Sequence, residues 1–204
     1  MTSCRKKIKG LQCDGYNSPP LPVFPEPFST RAATMKMDDV ELIARWMSKP
    51  HVAVRWNQDW SVSRWHEEID KQVSGRRSRP AIVLLDGIPL AYIEVYWVTL
   101  DGLACYYPCA ARDLGIHIAI GEENKIGQGL GRQILRWIAE SLLHLESRCD
   151  RVVAEPNVIN QAALRAFTAA GFRRVGEVVL PHKTAVLMVY PRNYDALPVV
   201  GEPP

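Results

Sequence analysis

Apolar and polar positions repeat along the chain with two periods, and the points where one gives way to the other mark out the elements. A short strand is expected from Phe28 to Met35. Asp38 and Asp39 then place negative charge at the start of a helix carrying Ile43, Trp46 and Met47, which stops at Lys49-Pro50. A second helix opens at Ser61 or Ser63, with Glu67 completing a loose capping pattern, and runs to Gly75. Apolar runs from Ala81 to Leu85 and from Leu90 to Trp97 flank Asp86-Gly87, a strong hairpin signal. Beyond a linker rich in Tyr, Pro and Cys comes a strand from Leu114 to Ile120, a glycine-rich loop, a helix from Leu130 to Leu145 and a strand from Arg151 to Glu155. A helix from Gln161 to Ala170, ended by Gly171, precedes two last strands, Arg173 to Val179 and Thr184 to Tyr190. Antiparallel strands followed by a β-α-β-α-β-β run predict an α/β or α+β fold, a mixed central sheet flanked by helices.

Composition narrows the class. The 204 residues, 47% hydrophobic and 23% charged, suit one soluble domain with a sizeable core. Residues 1–27 combine a basic cluster (Arg5, Lys6, Lys7, Lys9) with Pro19, Pro20, Pro22, Pro25 and Pro27, so a tail, or an arm laid over the domain, is expected there. The domain proper is assigned to residues 28–193 and a C-terminal tail to residues 194–204. The net charge of +3 arises partly in that basic start and does not imply nucleic acid. No apolar run approaches the roughly 20 residues needed to cross a bilayer, so no membrane contact and a cytoplasmic location are expected. The five cysteines are odd in number and read as reduced thiols; Cys105 and Cys109 lack a second ligand pair, so no metal site is expected.

The chemistry concentrates in the second half. Gly127-Gln128-Gly129-Leu130-Gly131-Arg132 lies between a strand and a helix, where backbone N–H groups and the helix start suit a pyrophosphate; a ligand-free glycine turn is the other reading. A nicotinamide fingerprint fails because Gln133 and Ile134 follow where a third glycine is needed, and no Gly-Lys-Ser/Thr completes an ATP loop. On the preceding strand, Leu114, Ile116, Ile118 and Ile120 face one side, and Gly115, His117, Ala119 and Gly121 the other. His117 thus stands among small residues, either as a proton-transfer group with room for a ligand or as a structural histidine. Glu155 ends the next strand and could orient His117, hold an amine or act as base; an ordinary loop carboxylate is the alternative. Asn160 is expected to cap the following helix, with ligand contact as a second role. Trp46, Trp56, Trp60, Trp65 and Trp97 are read as core, with a pocket for an aliphatic chain as the alternative.

The run from Asp113 to Ala170, with Gly127-Gln-Gly-Leu-Gly-Arg132 and Glu155-Pro-Asn-x-x-Asn160-x-x-Ala163, resembles the acyl-CoA half of the GNAT superfamily. The stretches Arg45-Trp-Met-Ser-Lys-Pro-His-Val52, Trp60-x-x-x-Arg64-Trp65, Ala91-Tyr-Ile-Glu-Val-Tyr96, Asp113-Leu-Gly-Ile-His117 and Leu180-Pro-His-Lys-Thr-Ala185 further resemble siderophore-biosynthetic acyltransferases of the mycobactin and aerobactin types, over about Phe28 to Asn193. The resemblance implies a single GNAT domain in which splayed parallel strands admit acyl-CoA, acetyl or longer. Donor contacts would fall at Ile118, Ile120, Gln128, Gly129, Leu130, Gly131, Arg132 and Asn160. It implies His117 and Glu155 as the catalytic pair, with Trp60, Arg64, Glu94, Tyr96 and Lys183 toward a lysine- or ornithine-type amine, hydroxylated or not. Ile126 stands where many members carry Arg or Gln, and Glu155 where the mycobactin enzymes carry Asp. An acyl carrier protein as donor, and the oligomeric state, stay open. Aminoglycoside N-acetyltransferases share the Trp-x-x-x-Pro-His start and the glycine loop but carry Asp at the position of His117, and a polycation would need an acidic site. A degenerate domain that binds acyl-CoA without transfer is the rival outside the enzymes.

Overall fold

The computed structural model describes residues 15–198. In chain order the elements are β1 (Phe28–Ala32), α1 (Met37–Ser48), α2 (Pro50–Trp56), α3 (Val62–Ser74), β2 (Ser78–Leu85), β3 (Ile88–Trp97), β4 (Leu114–Ile120), α4 (Leu130–Leu145), β5 (Arg151–Ala154), α5 (Gln161–Ala170), β6 (Arg173–Leu180) and β7 (Lys183–Pro191). One mixed sheet runs β1-β2-β3-β4-β5-β7-β6, and β4 with β5 is its parallel pair. The mixed sheet flanked by helices is the one expected from the order of elements.

Three differences have local causes. Pro50, which ends α1, also opens α2, since a proline at the first helical position lacks only an N–H that would be unpaired there anyway. Strand β2 begins at Ser78 and contains Pro80, tolerated because the β1 pairing has ended at Ala32↔Ala81. Residues 16–27 do not stand away from the domain. Phe24 is buried against Trp137, the Tyr16 hydroxyl donates to the Ala111 carbonyl, and the Trp97 indole N–H donates to the Asn17 carbonyl. The basic cluster at residues 5–9 lies outside the described residues, as do Cys4 and Cys13. Cys109 and Cys149 are free thiols. Cys105 is disulfide-bonded, which corrects the expectation of a reduced thiol there; nearby Cys109 is not its partner, so local spacing gave no signal.

The core has a layer on each face of the sheet. Ile134, Leu135, Ile138 and Leu142 of α4 and Leu164 and Phe167 of α5 pack on Ile93, Val95, Leu114 and Ile116. On the other face Val40, Ile43, Trp46 and Met47 of α1 with Trp65 and Ile69 of α3 pack on Ile82, Tyr92 and Ala119. The faces of β4 are therefore divided as its alternation predicts, and His117 lies on the α1–α3 side.

Candidate active site

Strands β4 and β5 are joined at one end and open at the other. Their register holds for two pairs, Leu114↔Val152 and Gly115↔Val153. Just before it, fully buried Asp113 receives Arg151 through two contacts, Nε to Oδ1 at 3.1 Å and Nη2 to Oδ2 at 3.0 Å, and the Tyr107 hydroxyl and Ala110 N–H also donate to Asp113. From Ile116 onward the β5-facing edge of β4 has no strand partner among the described residues. Backbone polar groups freed in this way can bond an amide-bearing chain laid along them.

The small residues of β4 do not leave room for a ligand. Each faces a large partner across the ladder: Tyr96↔Gly115, Glu94↔His117 and Tyr92↔Ala119. A Cβ on Gly115 would lie 2.0 Å from the Tyr96 ring, and one on Gly121 would lie 2.2 Å from Trp46. Part of the space expected beside His117 is thus taken up by aromatic rings. Trp56 of α2 meets the imidazole edge-on at 5.9 Å, and the Tyr96 ring lies 4.9 Å away.

His117 sits between two carboxylates. Its Nδ1 is 3.1 Å from Glu94 Oε2 and its Nε2 2.7 Å from Glu155 Oε1. Ionised carboxylates only accept, so both ring nitrogens donate and the ring rests as an imidazolium. Burial opposes that charge, but Glu155 and then Glu94 outweigh it and push the histidine up to about 10. Burial pushes Glu155 up as well, yet His117, Lys183 at 3.7 Å and the Tyr96 hydroxyl at 2.8 Å hold it down to about 2. About a third of the His117 side chain is exposed against 9% for Glu155, so the imidazole is the more open of the two. The expectation that Glu155 faces His117 holds.

The glycine loop leaves open space before the N-terminus of α4. Gly127 and Gly129 have φ of +77° and +81°, a backbone region that disfavours side chains, and a Cβ on either would meet nothing within 4 Å. Gly129 caps α4 without a side chain, so the first N–H groups of the helix, from Leu130 to Arg132, point out of its end. Gly131 differs: its φ is ordinary, and a Cβ would make normal contact with Ile120 at 3.5 Å. The Gln128 side chain braces the loop by donating to the Asn124 carbonyl at 2.7 Å, while Arg132 is exposed. Asn160 caps α5, its side chain accepting from the Ala163 N–H at 3.2 Å.

Glu94, Tyr96, His117, Glu155 and Lys183 form one cluster, but Trp60 and Arg64 lie further out. Arg64 stacks on Trp60 at 4.5 Å, and Trp60 reaches His117 only through Trp65, Tyr92 and Trp56. Two contacts of the stretch 45–52 could not be read from the sequence. Glu122 accepts from the Trp46 indole at 2.7 Å and from Lys49 at 3.1 Å, tying the glycine loop to α1. The His51 Nε2 bonds the Ile120 carbonyl at 3.0 Å. Among the described residues no group of three or more metal-ligating side chains is present, and no helix is long and apolar enough to cross a membrane.

Residues 36–180 match the acetyltransferase (GNAT) domain family. The chain is 38% identical over 159 residues to lysine N-acyltransferase MbtK of Mycolicibacterium paratuberculosis, covering 78% of this chain and 71% of the relative. It is 30% identical to the N(6)-hydroxylysine O-acetyltransferase of Escherichia coli, over 78% of this chain and 50% of that one. Among solved structures, an aminoglycoside acetyltransferase in complex with coenzyme A and kanamycin superposes with a TM-score of 0.71 at 24% identity, covering 83% of this chain and 96% of that one, a likeness of fold. The protein belongs to the GNAT acetyltransferase family and is an acyl-CoA-dependent acyltransferase.

Proposed function

We propose that the protein acylates the side-chain nitrogen, in its N-hydroxylated form, of a lysine- or ornithine-type acceptor in siderophore biosynthesis, with cytoplasmic acyl-CoA as donor. The observation that carries this reading is an imidazole held between two carboxylates at the mouth of the splayed strands. A hydroxylamine nitrogen is largely uncharged near neutral pH and attacks the thioester carbonyl directly. The C–N bond forms, the C–S bond breaks, and the sulfur leaves as a thiolate. His117 passes its Nε2 proton to that sulfur, and the proton shed by the nitrogen refills the Nε2–Glu155 contact, so the ring ends as it began. Proton transfer of this kind contributes about 10²–10⁴-fold. Glu155, fixed by Tyr96 and Lys183, keeps the ring charged and oriented. The glycine loop and the N-terminus of α4 would hold the pyrophosphate, and the open edge of Ile118 and Ile120 the pantetheine arm.

The names of the relatives support the acceptor class. An aminoglycoside acceptor is disfavoured by the carboxylates themselves: Asp113 is buried with Arg151, Asp101 pairs with Arg77, and Glu94 with His117. The test is release of coenzyme A thiol from acetyl-, succinyl- and long-chain acyl-CoA with N6-hydroxylysine, N5-hydroxyornithine, N-hydroxycadaverine and kanamycin. Turnover with hydroxylysine or hydroxyornithine is expected. Turnover with kanamycin alone would replace the reading with antibiotic modification, and a donor required on a carrier protein would show as silence with every free thioester.

A further inference from the structure

Glu94 is the one member of the cluster whose work the transfer reaction does not yet explain. It stands directly opposite His117 in the β3–β4 ladder, where side chains of paired residues lie about 4.5–5.5 Å apart at Cβ. Its own side chain is 16% exposed, half the openness of the ring it touches. Its ionised form is also favoured from behind, by the buried Ser78 and by the Arg77 charge. A carboxylate with its back to a strand and its free oxygen on Nδ1 is poorly placed to receive an acceptor molecule. It is well placed to hold a ring.

We propose that Glu94 is a positioning residue rather than an acceptor ligand: it accepts a hydrogen bond from the Nδ1–H of His117, fixes the plane of the ring, and leaves Nε2 as the nitrogen that exchanges protons during transfer. This rests on the reading of His117 as the proton-transfer group. Each other element around the ring is accounted for. Tyr96 of β3 stacks beside it and bonds Glu155, Glu155 and Lys183 approach from the ends of β5 and β7, and α2 contributes the uncharged edge of Trp56. Glu68 of α3 acts on Tyr92. Among the described residues Glu94 alone reaches Nδ1, so it selects which nitrogen stays protonated when one proton is given up.

The closing experiment uses the whole protein and Glu94→Gln, which keeps the size of the side chain. A glutamine N–H facing Nδ1 favours the tautomer with the remaining proton on Nε2. The NMR titration of the His117 ring in the free protein should move its midpoint down by at least about one pH unit. With acetyl-CoA and N6-hydroxylysine, kcat should fall by about 10²-fold or more, with KM for either substrate changing less than about threefold and the pH limb of kcat/KM moving in step with the midpoint. Glu94→Asp should recover part of both. An unmoved midpoint, or a loss confined to KM for the acceptor, overturns the proposal. If His117→Ala turns over normally, the underlying reading of His117 fails, and that failure shows independently of the Glu94 titration.

Discussion

Two buried ionic clusters flank the β4–β5 junction, and they are built for opposite ends. Asp113–Arg151 lies where the strands meet: fully buried, bidentate, with its remaining acceptor sites filled by Tyr107 and the Ala110 N–H. His117 with Glu94, Glu155 and Lys183 lies where they part, with the imidazole a third exposed. In the first, burial outweighs the arginine and raises the Asp113 carboxyl above its ordinary value. In the second, the cations outweigh burial and Glu155 is held down to about 2. The closed cluster gives up some stability to fix where two strands join. The open one contains a group that can lose and regain a proton without dismantling its surroundings.

The contrast gives a graded set of expectations. Asp113→Ala leaves the Arg151 charge buried and unpaired, and should cost about 3–5 kcal/mol in urea unfolding, with weaker coenzyme A binding as the strands lose their joint. His117→Ala should lower kcat by about 10²–10⁴-fold while coenzyme A affinity, by calorimetry, stays within a factor of about three; equal loss of both would erase the distinction between the clusters. Gly129→Ala forces a side chain into φ near +81° and should cost about 1–2 kcal/mol, read as a lowered melting temperature and weaker coenzyme A binding. Trp46→Phe removes one donor to Glu122 and should raise KM for acyl-CoA by a few-fold, about 1 kcal/mol, without changing kcat.

The smallest expected effect is a slope with pH. The pKa of His117 is raised from 6.5 to about 10, so its contribution to stability is complete below pH 6.5 and is lost as the pH rises through 10. Glu155 is lowered from 4.5 to about 2, so its contribution is complete above pH 4.5 and is lost as the pH falls through 2. Melting temperature should therefore decline between pH 6.5 and 10 in the wild type, gently because water screens the exposed part of the ring. His117→Gln should flatten that decline; an equal slope in the variant would show that the ring is not charged at rest.

Much of this was legible in the chain. The bounds of β4, α4 and α5 follow from alternation, helical period and Gly171, and the structure repeats them residue for residue. His117 could be singled out because it stands among small residues on the strand before a glycine loop, and Glu155 because it ends the neighbouring strand, where ligands meet side chains. The contact between Glu94 and His117 could not be read. Strands β3 and β4 are separated by residues 98–113, with no tight turn from which to count register, so nothing placed residue 94 opposite residue 117. The Asp113–Arg151 pin and the Trp46–Glu122 brace join residues 38 and 76 positions apart, where a sequence carries charge but not distance.

The ring of Tyr96 lying where a Cβ of residue 115 would be has a consequence for descent. Neither position can drift alone: any side chain at 115 collides with the tyrosine, and shrinking the tyrosine opens a void beside the imidazole and removes a donor from Glu155. The two codons are bound to change together, larger at one as smaller at the other, and a lineage that makes the exchange must find a new support for its acid. A paired substitution at 96 and 115 would be the inherited mark of a site retuned toward another acceptor.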